Sequence, residues 1–111
     1  MSKIMFRING VVAILGLALA LGVPARADDA SAALYKSKCA GCHGADGAGQ
    51  TAAGKAMKAP DFHDPDVRKM SDADLTAIIS MGKNKMPGYA KTMKPEEIKG
   101  LVAYVRELGK K

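Results

Sequence analysis

Large apolar side chains are scarce in this sequence, and the scarcity constrains the fold before any motif is read. Past residue 27, Leu, Ile, Val and Phe make up only 11 of 84 residues, and tryptophan is absent altogether. That share, about 13%, lies in the range that otherwise accompanies disorder, yet the high net charge of a disordered chain is missing too. A domain this small with so thin a core needs a disulfide, a metal or another staple. Composition therefore predicts a bound cofactor. Cysteine is nearly absent as well: the chain has two, Cys39 and Cys42, so no bridge ties distant segments together. Strand-like alternation and internal repeats are also missing, and the expected fold class is all-α.

The first 27 positions contain no acidic residue and three cations, Lys3, Arg7 and Arg26. Val11 to Val23 is an unbroken run of apolar residues and glycine, and Ala25-Arg26-Ala27 follows with small residues at the two positions a signal peptidase reads. This pattern predicts a secretory signal peptide over 1–27, cleaved after Ala27. The 13-residue run is too short for a bilayer, which takes about 20. No cysteine stands at the cleavage point to carry a lipid, so no membrane anchor is expected. The expected mature chain, 28–111, is one exported, periplasmic domain and a monomer. Removing three cations leaves 14 against 11 acidic residues, so the formal charge falls from +6 to +3. Without stacking aromatics among the lysines, a nucleic-acid partner is not expected.

Three helices are predicted in this domain. Asp28 and Asp29 precede a run from Ala30 to about Ala40, and acidic residues favour a helix start. Residues 44–70, rich in Gly and Ala and then in Pro, read as a long loop with at most a short helical turn. So long a loop in so small a domain needs a function, such as wrapping something. Ser71 with Asp74 resembles a capping box ahead of Leu75, Ile78 and Ile79, and Gly82 is the natural stop. Pro95, Glu96 and Glu97 open the last helix. Ile98, Leu101, Val102, Val105 and Leu108 give it one apolar face.

Cys39-Ala40-Gly41-Cys42-His43 is the one strong chemical motif, the C-x-x-C-H signature of c-type haem attachment. On a helix, residues three apart share a face and lie about 4.5 Å apart along the axis. Both thiols then reach the two vinyl groups of one porphyrin, and His43 comes under the iron as proximal ligand. Gly41 leaves room for the ring to approach the backbone. Three readings compete. A disulfide suits an oxidising compartment. A redox-active cysteine pair belongs beside a β-α-β pattern, which is absent. A zinc site would draw on Cys39, Cys42 and either His43 or His63, but adjacent Cys42 and His43 are awkward for one tetrahedral ion. Haem also supplies the large apolar object that the core lacks.

A sixth iron ligand would come from a methionine or from His63. Met57, Met70, Met81 and Met93 fall in or beside helices and loops where methionine fills gaps by default; Met70 and Met81 in particular read as packing residues. Met86 lies past the Gly82 stop in Lys83-Asn84-Lys85-Met86-Pro87-Gly88, a polar stretch in which Pro87 holds the backbone extended. His63 stands next to it as a candidate, imidazole being the commoner iron ligand.

Taken in order, Cys39-Ala40-Gly41-Cys42-His43, Lys83-Asn84-Lys85-Met86-Pro87-Gly88 and Leu101-Val102-Ala103-Tyr104-Val105-Arg106 resemble the small soluble single-haem class I cytochromes c of bacteria. The resemblance covers essentially all of 28–111. It implies an all-α fold of three main helices and long loops around one covalently attached haem c, with proximal His43 and distal Met86. It also implies that a proline carbonyl in Ala59-Pro60-Asp61-Phe62 accepts from the proximal imidazole, and that Tyr35 and Tyr104 meet where the first and last helices cross. His63 then becomes a surface residue. Lys94 departs from the Ser or Thr that often caps the last helix. Tyr89 is left open between the core and a haem propionate.

The implied function is electron transfer with redox partner proteins, with Lys83, Lys85, Lys91 and Lys94 either as a docking rim at the haem edge or as an ordinary solvated face. The alternative is a haem-based sensor or ligand-binding module with a labile distal methionine. An enzyme reading is weak, because the 84–90 segment holds no distal His or Arg.

Overall fold

The computed structural model of the chain describes residues 29–111, so the expected signal peptide lies outside the described residues. Six helices follow in order: α1 (Asp29–Lys38), α2 (Ala40–His43), α3 (Ala52–Met57), α4 (Pro65–Arg68), α5 (Asp72–Met81) and α6 (Pro95–Gly109). Among the described residues the only sheet-like feature is an isolated antiparallel bridge between Lys83 and Met86.

Capping chemistry places α5 and α6. The Ser71 hydroxyl accepts from the Asp74 amide at 3.0 Å, and the Asp74 carboxylate accepts from the Ser71 amide at 3.3 Å. This reciprocal box satisfies two donors that a helix start otherwise orphans. At the start of α6, Lys94 has no side-chain acceptor to offer. Glu97 compensates by reaching back to accept from the Lys94 amide at 2.9 Å. Ile98, Leu101, Val102, Val105 and Leu108 are all buried, one stripe along α6. At roughly 1.5–3 kcal/mol per buried side chain, that stripe dominates a thin core.

Helix α1 packs on α6 where both are slim. A Cβ on Gly100 would strike the Ser31 hydroxyl, and the Tyr35 and Tyr104 rings meet with centroids 4.8 Å apart. Arg106 ties α6 to the start of α5, donating to Asp72 Oδ1 at 2.5 Å and to the Met70 carbonyl at 2.6 Å.

Three expectations need correction. The helix expected to reach Ala40 ends at Lys38, and the chain kinks at Cys39 before α2. Helical hydrogen bonding nonetheless runs through the kink, from the Cys39 amide to the Tyr35 carbonyl (2.8 Å) and from the His43 amide to the Cys39 carbonyl (3.0 Å). The 44–70 stretch holds two short helices, not at most one turn. Every residue of α3 except Gly54 is exposed, so it carries no apolar period to detect. Its start is set by Thr51, whose hydroxyl accepts from the Gly54 amide at 2.9 Å, and by alanine's high helix propensity. Met81 does not pack: it is 77% exposed. Two residues beyond Ile79, it falls on the opposite side of α5 from the buried Leu75 and Ile79.

Candidate haem site

Helices α1, α2, α5 and α6, with the 59–70 and 82–89 loops, enclose an apolar cavity with about 560 Å³ of empty space, some of it open to solvent. Cys39, His43 and Met86 all line it, and no Asp, Glu, Lys or Arg does. The fold thus brings together a histidine and a thioether that are far apart in the chain. Cys42 is half-buried on the same turn but falls outside the lining. Met70 lines the cavity too and becomes a second thioether candidate; His63 does not reach it.

His43 ends α2, and its surroundings are backbone. Its carbonyl accepts from the Gly49 amide at 2.8 Å, and the next carbonyl, of Gly44, accepts from the buried Tyr35 hydroxyl at 2.7 Å. The Thr51 hydroxyl contacts the carbonyls of Gly41 and Cys42 at 2.8 and 3.0 Å, so one side chain caps α3 and holds the attachment turn. Gly54 lets α3 lie directly on that turn, where a Cβ would overlap the Cys42 carbonyl oxygen. The imidazole stacks on Phe62, centroids 4.7 Å apart and planes at 28°. Thr51 and Phe62 were missed as site residues. Thr51 could have been found as a Thr cap before Ala52-Ala53-Gly54. Phe62 could have been found as the only phenylalanine past residue 27.

Burial lowers the pKa of His43, and the Pro60 backbone carbonyl opposes the shift to a smaller extent, without closing a hydrogen bond on Nδ1. Nδ1 is the one buried side-chain nitrogen or oxygen among the described residues with no partner. Such an orphan costs about 1–3 kcal/mol. A buried imidazole with an unpartnered nitrogen, in a cavity lined by no Asp, Glu, Lys or Arg, suits a metal-bearing apolar cofactor.

Both cysteines are free, and burial pushes the Cys39 thiol up to about 11. A redox-active or nucleophilic cysteine needs the opposite shift. A cysteine destined to become a neutral thioether does not. Among the described residues no group of three or more His, Cys, Asp or Glu could hold an ion unaided. Iron would therefore need a porphyrin's nitrogens beside these side chains.

Comparison with known proteins settles the family. A profile described as cytochrome C oxidase, cbb3-type, subunit III matches residues 26–105. The chain belongs to the class I c-type cytochromes. It is 36% identical over 102 residues to cytochrome c6 of Nostoc sp. strain PCC 7120, covering 87% of each chain. To cytochrome c6 of Anabaena variabilis it is 37% identical over 79 residues, 71% of this chain and 86% of the relative. Among solved structures, the KustC0563 c-type cytochrome is 34% identical with a TM-score of 0.66, covering 70% of this chain and 95% of its own. Cytochrome c6C from Synechococcus sp. PCC 7002 is 26% identical with a TM-score of 0.52, covering 73% and 95%. The cofactor of this cytochrome is therefore covalently attached haem c.

Met86, also in the cavity lining, rides a tight loop. Lys83 and Met86 exchange two backbone hydrogen bonds, of 3.1 and 2.9 Å, around Asn84, which takes the left-handed φ of 54° that asparagine tolerates. Gly82 (φ 81°) and Gly88 pack closely, since a Cβ on Gly82 would come 2.6 Å from the Met86 carbonyl oxygen and one on Gly88 2.6 Å from the Met81 carbonyl carbon. The Tyr89 and Ala90 amides donate to the carbonyls of Ile79 and Ser80 at 2.9 and 3.0 Å, which closes the loop on the end of α5.

His63 is half-exposed and not simply solvated, its Nδ1 lying 2.6 Å from Asp61 Oδ1. Lys83, Lys85, Lys91 and Lys94 are all exposed around the Met86 loop. Among the described residues, no helix is long and apolar enough to cross a membrane.

Proposed function

We propose that this cytochrome is an exported, periplasmic electron carrier whose iron is held by His43 and Met86 and whose porphyrin is joined to Cys39 and Cys42. The observation that carries the reading is that His43, Met86 and Cys39 line one charge-free cavity. When bound, haem supplies a one-electron couple between ferric and ferrous iron, and His/Met ligation raises its potential. The chain's part is to exclude water and to hold both ligands. Besides His43, the titratable side chains lining the cavity are Cys39, proposed as a thioether, and Tyr35, whose hydroxyl is held by the Gly44 carbonyl, which suits electron exchange rather than chemistry on a substrate. The exposed lysines around the distal loop suit steering of redox partners that present an acidic face. Export rests on the N-terminal pattern, and intact-mass measurement of the cell's own holoprotein tests cleavage after Ala27.

Spectra of the purified holoprotein and two variants test the ligands. Haem should stay with the polypeptide in acid acetone, and ferric wild type should show the weak sulfur-to-iron band at the red end of the visible spectrum. Met86→Ala should remove the band and lower the reduction potential, while Met70→Ala should keep both. Extracted haem refutes the attachment; a band that survives Met86→Ala and vanishes in Met70→Ala transfers the ligand role to Met70.

A further inference from the structure

We propose that Tyr89 is a positioning residue that latches the Met86 loop against the haem-attachment segment and so sets how rarely the iron–thioether bond opens. The proposal rests on Met86 as the distal ligand. Tyr89 stands three residues after Met86, and its hydroxyl donates to the Lys38 carbonyl at 3.3 Å, spanning 51 residues of chain. Lys38 is the residue directly before Cys39.

The ring itself packs against the core, and the rest of the residue is a junction. Its amide donates to the Ile79 carbonyl, and its own carbonyl accepts from the Thr92 and Met93 amides at 3.1 and 2.9 Å. One residue thus fastens the distal loop to α5, to the lead-in of α6 and to the end of α1. Of those links, only the phenol reaches the segment that carries the cysteines.

Opening the distal side requires residues 82–89 to swing outward, and the hydroxyl bond is lost in that motion. A ligand that competes with Met86 binds only the open form, so its apparent affinity scales with the open fraction. Removing one such bond raises that fraction about three- to tenfold, the range covered by one net hydrogen bond. The latch therefore favours a carrier over a sensor.

The test is a titration of ferric holoprotein with imidazole, followed in the visible spectrum, for wild type, Tyr89→Phe, Met86→Ala and Arg106→Gln. Tyr89→Phe keeps the packed ring and should bind imidazole about three- to tenfold more tightly while keeping the sulfur-to-iron band. Met86→Ala should bind most tightly. Arg106→Gln, which loosens α5 from α6, should leave imidazole affinity at the wild-type value, which separates a latch from general loss of stability. Equal affinity for Tyr89→Phe and wild type overturns the latch. Equal affinity for Met86→Ala and wild type instead overturns Met86 as ligand.

Discussion

Around His43 the contacts are made by backbone and glycine: Tyr35 and Thr51 bind carbonyls, Gly54 admits α3, and Phe62 covers the ring. Around Met86 the loop is short, largely exposed and lysine-rich, and it is closed at its base by two backbone bonds and by the phenol of its own Tyr89. The two sides differ in what must move for a ligand to leave. On the proposed ligation, displacing His43 would mean breaking α2 away from α3 and from Tyr35, whereas displacing Met86 would ask only residues 82–89 to swing. With the porphyrin joined to Cys39 and Cys42 as proposed, it would stay anchored on the His43 side and that asymmetry could be tolerated.

The sharpest break of this comparison comes from two glycines. Gly54→Ala puts a Cβ into the Cys42 and Gly49 carbonyl oxygens, both backbone atoms with little room to shift. Destabilisation should lie at the upper end of overpacking, about 3 kcal/mol, with a reduced haem-to-protein ratio. Gly82→Ala meets a φ of 81° and the Met86 carbonyl. It should cost about 1–3 kcal/mol, because φ 81° with ψ 168° is a backbone region essentially confined to glycine, keep full haem loading and weaken the sulfur-to-iron band. Chemical denaturation and the absorbance spectrum read both. If Gly82→Ala is the variant that loses haem, the two sides have exchanged roles.

What sequence could reveal follows from where the signal resides. Helices α5 and α6 announce themselves through caps and apolar stripes, and the attachment motif through its spacing. Thr51, Phe62 and Tyr89 act on backbone carbonyls or on a ring distant in the chain, and a carbonyl acceptor leaves no trace in its own residue type. Met81 was misjudged for a simpler reason. A methionine at the end of an apolar helix looks like packing until its angle from Leu75 and Ile79 is worked out. His63 shows the converse, since a partner two residues away was present in the sequence all along.

A contrast in stability alone, without effect on haem loading, lies within the Met86 side. Met93 is buried beneath the lead-in to α6 and Met81 stands in solvent. Met93→Ala should cost about 2–5 kcal/mol, and Met81→Ala less than about 0.5. Neither should alter the ferric spectrum, since neither lines the cavity. Equal melting points for the two variants would show that the distal side gains nothing from its buried sulfur.

The smallest expected effect concerns pH on the His43 side. Asp61 accepts from the His63 amide at 2.9 Å and lies 2.6 Å from the His63 ring. The amide bond first, then the ring, holds its carboxyl below the ordinary value of 3.8. A depressed carboxyl contributes stability above its unfolded pKa and loses it as pH falls through the folded one. Full benefit is therefore expected above about pH 5, and none well below 3.8. In Asp61→Asn the amide oxygen still accepts from the backbone but no longer titrates. Its melting temperature should fall less steeply than wild type's as the solution is taken from pH 5 toward 3, so that a small gap at pH 5 closes. Because Asp61 lies between Pro60, near the imidazole, and Phe62, stacked on it, parallel melting curves would show that this turn takes its order from Phe62 packing alone.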